Sequence, residues 1–221
     1  MNVVITGANR GLGLGFVNHY LGHGAKVWAC FRHDEKPLKL INSNNLFAVQ
    51  LDVSKPIDSS PFPETIDLLI NNAGVYGPNK DGQNLENITP EQMMNVFNID
   101  CVGPLCVVQS LKDKVIKARG TIANMSSKMG SSADNNSGGT YAYRAAKAAL
   151  VIVSKSMAVD LKPFGVKVIT LHPGWVTTDM TNHTGLIDVE TSVAGLTQVI
   201  SNVTDYELGA FVAFDGQVVP F

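Results

Sequence analysis

The 221-residue chain is poor in cysteine and in charge, and it lacks any long apolar run. Its three cysteines, Cys30, Cys101 and Cys106, are an odd number with no Cys-x-x-Cys pair. That excludes a disulfide scaffold and a cysteine-rich zinc site, and it fits a reducing, cytoplasmic setting. Charged residues make up 16% and the net charge is −2, against about 25% charged in an ordinary soluble domain. No basic surplus marks a nucleic-acid surface, and no block of like charge marks a tail. No stretch reaches the roughly 18 consecutive apolar residues of a membrane span. The first residues lack the basic region and apolar core of a signal peptide. Nucleic acid and membrane are therefore not expected partners. His19 and His23 stand four apart on a helical face, but no third ligand accompanies them, so no metal is expected.

What is present is apolar and rhythmic. Hydrophobic residues amount to 45%, enough for one sizeable core, and the length suits a single domain over residues 1–221. Short apolar runs recur at 2–6, 26–31, 46–51, 66–71, 121–125, 166–171 and 209–214. Most are continuous rather than alternating, the pattern of strands buried on both faces of a parallel sheet. Helices fit between most of them. Leu12, Phe16, Val17, Tyr20 and Leu21 share one helical face. Thr89-Pro90-Glu91 reads as cap, first position and first turn of a helix running to about residue 117. Residues 141–161 and 189–203 read as two more. The connection 33–45 has room for one short helix, and 53–64, with Pro56, Pro61 and Pro63, reads as irregular. The fold class is α/β: a single-domain, Rossmann-type, doubly wound and mostly parallel sheet of seven strands flanked by helices.

Thr6-Gly7-Ala8-Asn9-Arg10-Gly11-Leu12-Gly13 follows the first strand and opens the first helix. Glycines there let the backbone turn tightly and approach a pyrophosphate, which the helix N-terminus attracts. The Lys-Ser/Thr of a nucleotide-hydrolysing loop is missing. Further on, Tyr143 and Lys147 are four apart and share a helical face. A phenol ionises near pH 10, and a neighbouring ammonium favours the phenolate. Bringing it near pH 7 takes about three units, or roughly 4 kcal/mol.

The Gly-x-x-x-Gly-x-Gly spacing resembles the short-chain dehydrogenase/reductase family. So do Asn71-Asn72-Ala73-Gly74 at the end of strand four and Ser126-Ser127 at the end of strand five. Tyr143-Arg144-Ala145-Ala146-Lys147 matches the family's Tyr-x-x-x-Lys pair, and His172-Pro173-Gly174-Trp175-Val176-Thr177-Thr178 its Pro-Gly segment. Tyr141-Ala142-Tyr143-Arg144, Pro-Gly-Trp-Val and the closing Phe214-Asp215-Gly216 are closest to the carbonyl-reductase-like and C-factor-like branch.

The resemblance implies hydride transfer between a nicotinamide dinucleotide and a small carbonyl or alcohol. Tyr143 would be the general acid/base and Lys147 would hold the nicotinamide ribose. Ser127, with Ser126 as competitor, would bind the substrate oxygen. It places the cofactor against Gly7, Asn9, Arg10, Gly11, Leu12 and Gly13, then Asp52 and Val53 at the adenine. Asn72, Ala73 and Gly74 would follow, with Tyr143 and Lys147, and Pro173, Gly174, Val176 and Thr178 would orient the carboxamide. The family's diol-binding Asp position falls on Phe31 or Arg32. Arg32 with Arg10 would receive the phosphate of NADP(H), and Asp34 and Glu35 keep NAD(H) possible. Family members also pair the helices after strands four and five. Met93, Met94, Phe97, Leu150 and Val151 lie there and imply a homodimer. One departure stands out: where the family has an Asn that completes its tetrad, this chain has Asp100, with Asn98 turned about 200° away on a regular helix. Two roles are open to Asp100: that of the family's Asn, or direct pairing with Lys147. An enzyme and a catalytically weak NADP(H)-binding sensor or signalling protein therefore both remain open.

Overall fold

Most strands of the sheet send alternate side chains to opposite faces, and both sets are largely buried and apolar. In β1 (Asn2–Ile5), Val3 and Ile5 pack into one helix-covered core and Val4 into the other. This double burial is why the strands read as unbroken apolar runs. The other strands are β2 (Lys26–Phe31), β3 (Leu46–Gln50), β4 (Leu68–Asn71), β5 (Thr121–Met125), β6 (Lys167–His172) and β7 (Phe211–Ala213). All pairings are parallel and the order is β3-β2-β1-β4-β5-β6-β7. The seven-stranded, doubly wound architecture expected from the sequence is the one observed. The computed structural model describes residues 1–221, the side chain of Lys80 excepted.

The helices are α1 (Gly11–Gly22), the single turn α2 (Lys36–Lys39), α3 (Pro90–Phe97), α4 (Gly103–Ala118), α5 (Tyr141–Leu161) and α6 (Val189–Ser201). Phe16 and Val17 of α1 and Leu196 of α6 fill the core on one face; Val107 and Leu111 of α4 and Met157 of α5 fill the other. Burying a side chain such as Phe16 or Leu111 completely is worth about 1.5–3 kcal/mol. The chain runs outward from β1 through β2 to β3 on one side, then crosses back from β3 to β4 on the other side of β1 and runs outward again. That opens a crevice at the C-terminal ends of the strands.

The helix expected from Thr89 to about residue 117 is one helical run with a wide turn inside it. Thr89 accepts from the Gln92 N–H and Gln92 reaches back to the Thr89 N–H, with Pro90 in the first turn. Residues 98–102 then form a π-helical turn, closed by the Gly103 N–H on the carbonyl of Asn98. Pro104 is the physical reason: it has no N–H for the carbonyl of Asp100, and its ring collides with a regular turn there. The run Pro90–Ala118 is long and apolar enough, by length and composition, to cross a membrane. Here its stripe of Val96, Val107, Leu111 and Val115 packs inside the fold. Of the five positions behind the homodimer expectation, Leu150 and Val151 are buried within the chain, Met93 and Phe97 are half-buried and Met94 is exposed.

Candidate active site

The ends of β1, β2, β4, β5 and β6 and the starts of α1 and α5 meet at the crevice. The loop after β1 is built for close backbone approach. Gly7 has φ +61° and Gly11 φ +49°. A Cβ on Gly13 would lie 2.1 Å from the carbonyl oxygen of Gly7, so only glycine fits. The loop is held by the β4 end: Asn72 donates its side-chain N–H groups to the carbonyls of Thr6 (3.0 Å) and Gly7 (3.1 Å). The Thr6 hydroxyl in turn accepts from the N–H groups of Asn72 and Ala73. Asn9 donates to the Asp34 carbonyl at 2.8 Å, tying the loop to the turn after β2. Arg10 stands at the cap of α1 without bonding its N–H groups, and the first turn has no acidic residue. The N-terminus of α1 therefore keeps its donors and its positive dipole end for an anion. The dinucleotide implied by the sequence fits this cradle.

Arg10 and Arg32 line one cavity of about 530 Å³ together with Gly74, Val75, Tyr76 and Asp179. Phe31, the other candidate for the diol position, is buried in the α1-side core. Asp52 folds back on Ser54, accepting from its hydroxyl at 2.7 Å and its N–H at 3.0 Å. These bonds, and then the nearby charges of Arg32 and Lys55, hold its carboxyl below the usual range. Val53 lies in a second cavity, of about 480 Å³, beside Asn98 and Cys106, not in the one lined by the arginines. Past β6, Gly174 has φ +85°, Val176 is buried and bridges to Ile187, and Thr178 packs close to Gly11. Ser192 donates to the Pro173 carbonyl at 2.6 Å and so pins the Pro-Gly turn to α6.

The remaining side chains converge from β5, the π-turn and α5. Lys147 is 4% exposed. Its ammonium donates to the Met125 carbonyl at 3.0 Å, pairs with Asp100 Oδ2 at 3.1 Å and lies 5.5 Å from the Tyr143 ring centre. Asp100 is fully buried, and its Oδ1 accepts from the Val75 N–H at 2.8 Å. Of the two routes open to Asp100, the structure shows direct pairing with Lys147. Asn98 points to the other cavity. Ser126 spends its hydroxyl on the Lys147 carbonyl at 2.9 Å, inside the core. Ser127 accepts from the Met129 N–H at 3.2 Å and keeps its own proton to donate.

Burial is the largest influence on the Tyr143 phenol and raises its pKa; Lys147 lowers it, Asp100 raises it again and Ser127 lowers it, with a net rise. For Lys147, burial works downward, but Asp100 and then Tyr143 outweigh it and the ammonium is held more firmly than usual. With Asp100 present, Lys147 alone does not bring the phenol near neutral pH.

Three contacts had no signal in the sequence. Arg10 faces Asp179 at 3.7 Å, and Asp179 also faces His183 at 3.2 Å. Gln83, from a polar loop, is fully buried against Tyr143. Among the described residues, no group of three or more His, Cys, Asp or Glu could hold a metal.

The sequence and the fold have relatives among known proteins. The chain is 38% identical over 157 residues to the C-signal of Myxococcus xanthus, covering 71% of this chain and 93% of that one. It superposes on the carbonyl reductase Sniffer of D. melanogaster with a TM-score of 0.91 and 29% identity, covering 100% and 99% of the two chains. The NADPH-bound carbonyl reductase from chicken fatty liver gives 0.89 at 30% identity, with 100% and 98% covered. The profile of the short chain dehydrogenases matches residues 1–186, which hold the glycine loop, the Tyr143–Lys147 pair and the Pro-Gly segment, and the chain belongs to that family.

Proposed function

We propose that the protein is an NADP(H)-dependent oxidoreductase that moves hydride between the nicotinamide and a small carbonyl or alcohol, with Tyr143 as its general acid/base. The observation that carries this reading is the convergence of Ser127, Tyr143 and Lys147 at the strand ends, beside a cradle for a pyrophosphate. Bound there, the dinucleotide supplies or accepts the hydride. The backbone donors of Gly11, Leu12 and Gly13 would hold its pyrophosphate, and Arg10 and Arg32 would hold its ribose phosphate. The NADPH-bound relative supports this choice; NAD(H) remains usable if the arginines are dispensable.

Ser127 Oγ donates to the substrate oxygen and steadies the charge that develops on it. Tyr143 Oη donates its proton to that oxygen during reduction and takes it back during oxidation. A phenol held above its ordinary value by burial keeps that proton at neutral pH, which suits reduction. Lys147 would hold the ribose and keeps a positive potential on Tyr143.

The Lys147–Asp100 pair favours a second reading. An ammonium tied to a carboxylate is less available to ribose and phenol, and C-signal is the relative with 38% identity. A catalytically weak NADP(H) sensor would then be the function. A panel of aldehydes, ketones and alcohols with either cofactor separates the two. Wild-type turnover is expected with NADPH, and Tyr143→Phe should abolish it while NADPH binding stays nearly intact. Full activity in Tyr143→Phe would show that another group is the acid.

A further inference from the structure

We infer that Gln83 is a positioning residue that fixes Tyr143 and the neighbouring wall of the 530 Å³ cavity in one geometry. The inference rests on the reductase reading for its kinetic consequences, but not for its structural ones. Helix α5 starts without a local cap. Thr140, the residue before it, has φ +52° and ψ +42° and makes no side-chain bond to the helix. Its hydroxyl faces Tyr76 Oη at 3.4 Å instead. A first-turn N–H left so deep inside the protein needs an acceptor from elsewhere.

Gln83 supplies it from 60 residues away: its Oε1 accepts from the Tyr143 N–H at 3.1 Å. Its Nε2 donates to the carbonyls of Tyr76 and Pro78, each at 2.8 Å. The side chain is 0% exposed, and its acceptor and both donors are all engaged. The reverse orientation of the amide would set two donors together and an oxygen against two carbonyls, so the network itself fixes which way the amide points.

The three bonds join two parts of the site. Tyr76 and Pro78 line the 530 Å³ cavity, and the Tyr76 ring lies 5.1 Å from that of Tyr143. Gly77 leaves no slack between them: at φ +88°, a Cβ there would lie 2.6 Å from Val96. Gln83 itself does not line the cavity. It acts through Tyr143 on one side and through the 76–78 wall on the other.

Gln83→Met keeps the length of the side chain and removes all three bonds. It should lower kcat for a reducible aldehyde by about tenfold, a loss expected of a displaced acid. It should also raise KM for the aldehyde and speed hydrogen exchange at the Tyr143 amide. Gln83→Glu, protonated at so buried a position, keeps the acceptor and can donate to only one of the two carbonyls. It should restore slow exchange and most of kcat, but not KM. Wild-type kcat, KM and exchange in Gln83→Met would overturn the inference. Should that variant fail to fold, Gln83→Glu decides, and an unchanged KM would overturn it. If wild type reduces no carbonyl tested, the reductase reading fails. The Tyr143 exchange rate in either variant then still decides whether Gln83 holds the helix.

Discussion

A carboxylate with 0% exposure needs charge and hydrogen bonds in place of water, and Asp100 has Lys147 at 3.1 Å and the Val75 N–H at 2.8 Å. The arrangement costs the site something, because the same negative charge raises the pKa of Tyr143. Asp100→Asn keeps an oxygen for the Val75 N–H and removes the charge. Tyr143 should then give up its proton at lower pH. The pH–rate profile for alcohol oxidation at saturating cofactor is expected to shift to lower pH, with turnover at neutral pH raised. Superimposable profiles would take the Asp100 side chain out of the chemistry. A second single-residue outcome concerns Arg32. It is exposed, lines the cavity with Arg10 and has no carboxylate of its own within ion-pair distance among the described residues. Arg32→Asp should erase or reverse the preference for NADPH over NADH in a fluorescence titration, since a carboxylate there repels a phosphate and accepts from a ribose diol.

At the scale of elements, the sequence is most readable where structure is decided locally. Thr89 and Pro90 announce the start of α3 because caps use neighbours in the chain, and Pro163 and Gly165 announce the end of α5 because neither continues a helix. The motif residues of the site were legible for a related reason: they stand at strand ends, and a parallel sheet brings all such ends to one edge. The π-turn at 98–102 escaped, since one extra residue in a helix barely disturbs its apolar period. Gln83 escaped because a glutamine in the polar 79–84 loop looks solvated until the tertiary fold buries it. The Arg10–Asp179 contact depends on how the segment after β6 folds back over α1. The glycine loop offers a test of an element rather than a contact. Gly13→Ala would set a methyl 2.1 Å from the Gly7 oxygen and 2.7 Å from Asn72 Nδ2. Neither group can withdraw without undoing the tie between β1 and β4. NADPH should bind at least about tenfold more weakly, a loss of roughly 1.4 kcal/mol, as read by calorimetry. Affinity equal to wild type would mean that the loop does not form the phosphate cradle.

For the molecule as a whole, acid should be more damaging than the net charge of −2 implies. His172, at the end of β6, accepts from the Lys128 N–H through Nδ1 at 3.2 Å. Burial first, and then the charge of Lys128, push its pKa down to about 4, against the smaller pull of Asp215 and Asp134. Between an unfolded value of 6.5 and that folded value of about 4, the unfolded chain binds a proton here and the folded chain does not. Stability therefore falls as pH falls through this window, by about 3 kcal/mol in all, and this contribution levels off below it. The carboxylates of Asp52, Asp58, Glu91 and Asp188 also have lowered pKa values. Their contributions disappear only at lower pH, near and below the ordinary carboxylate range, so the two regimes separate. His172→Asn places an oxygen close to the former Nδ1 and removes the titration. Urea unfolding at a series of pH values from 7 to 4 should show a steep loss of stability in wild type and a much shallower one in the variant. A residual slope is expected because His19, lowered by burial and then by His23, acts in the same direction. Parallel curves for the two proteins would mean that His172 is not held neutral in the folded state, and that acid sensitivity in this window arises elsewhere.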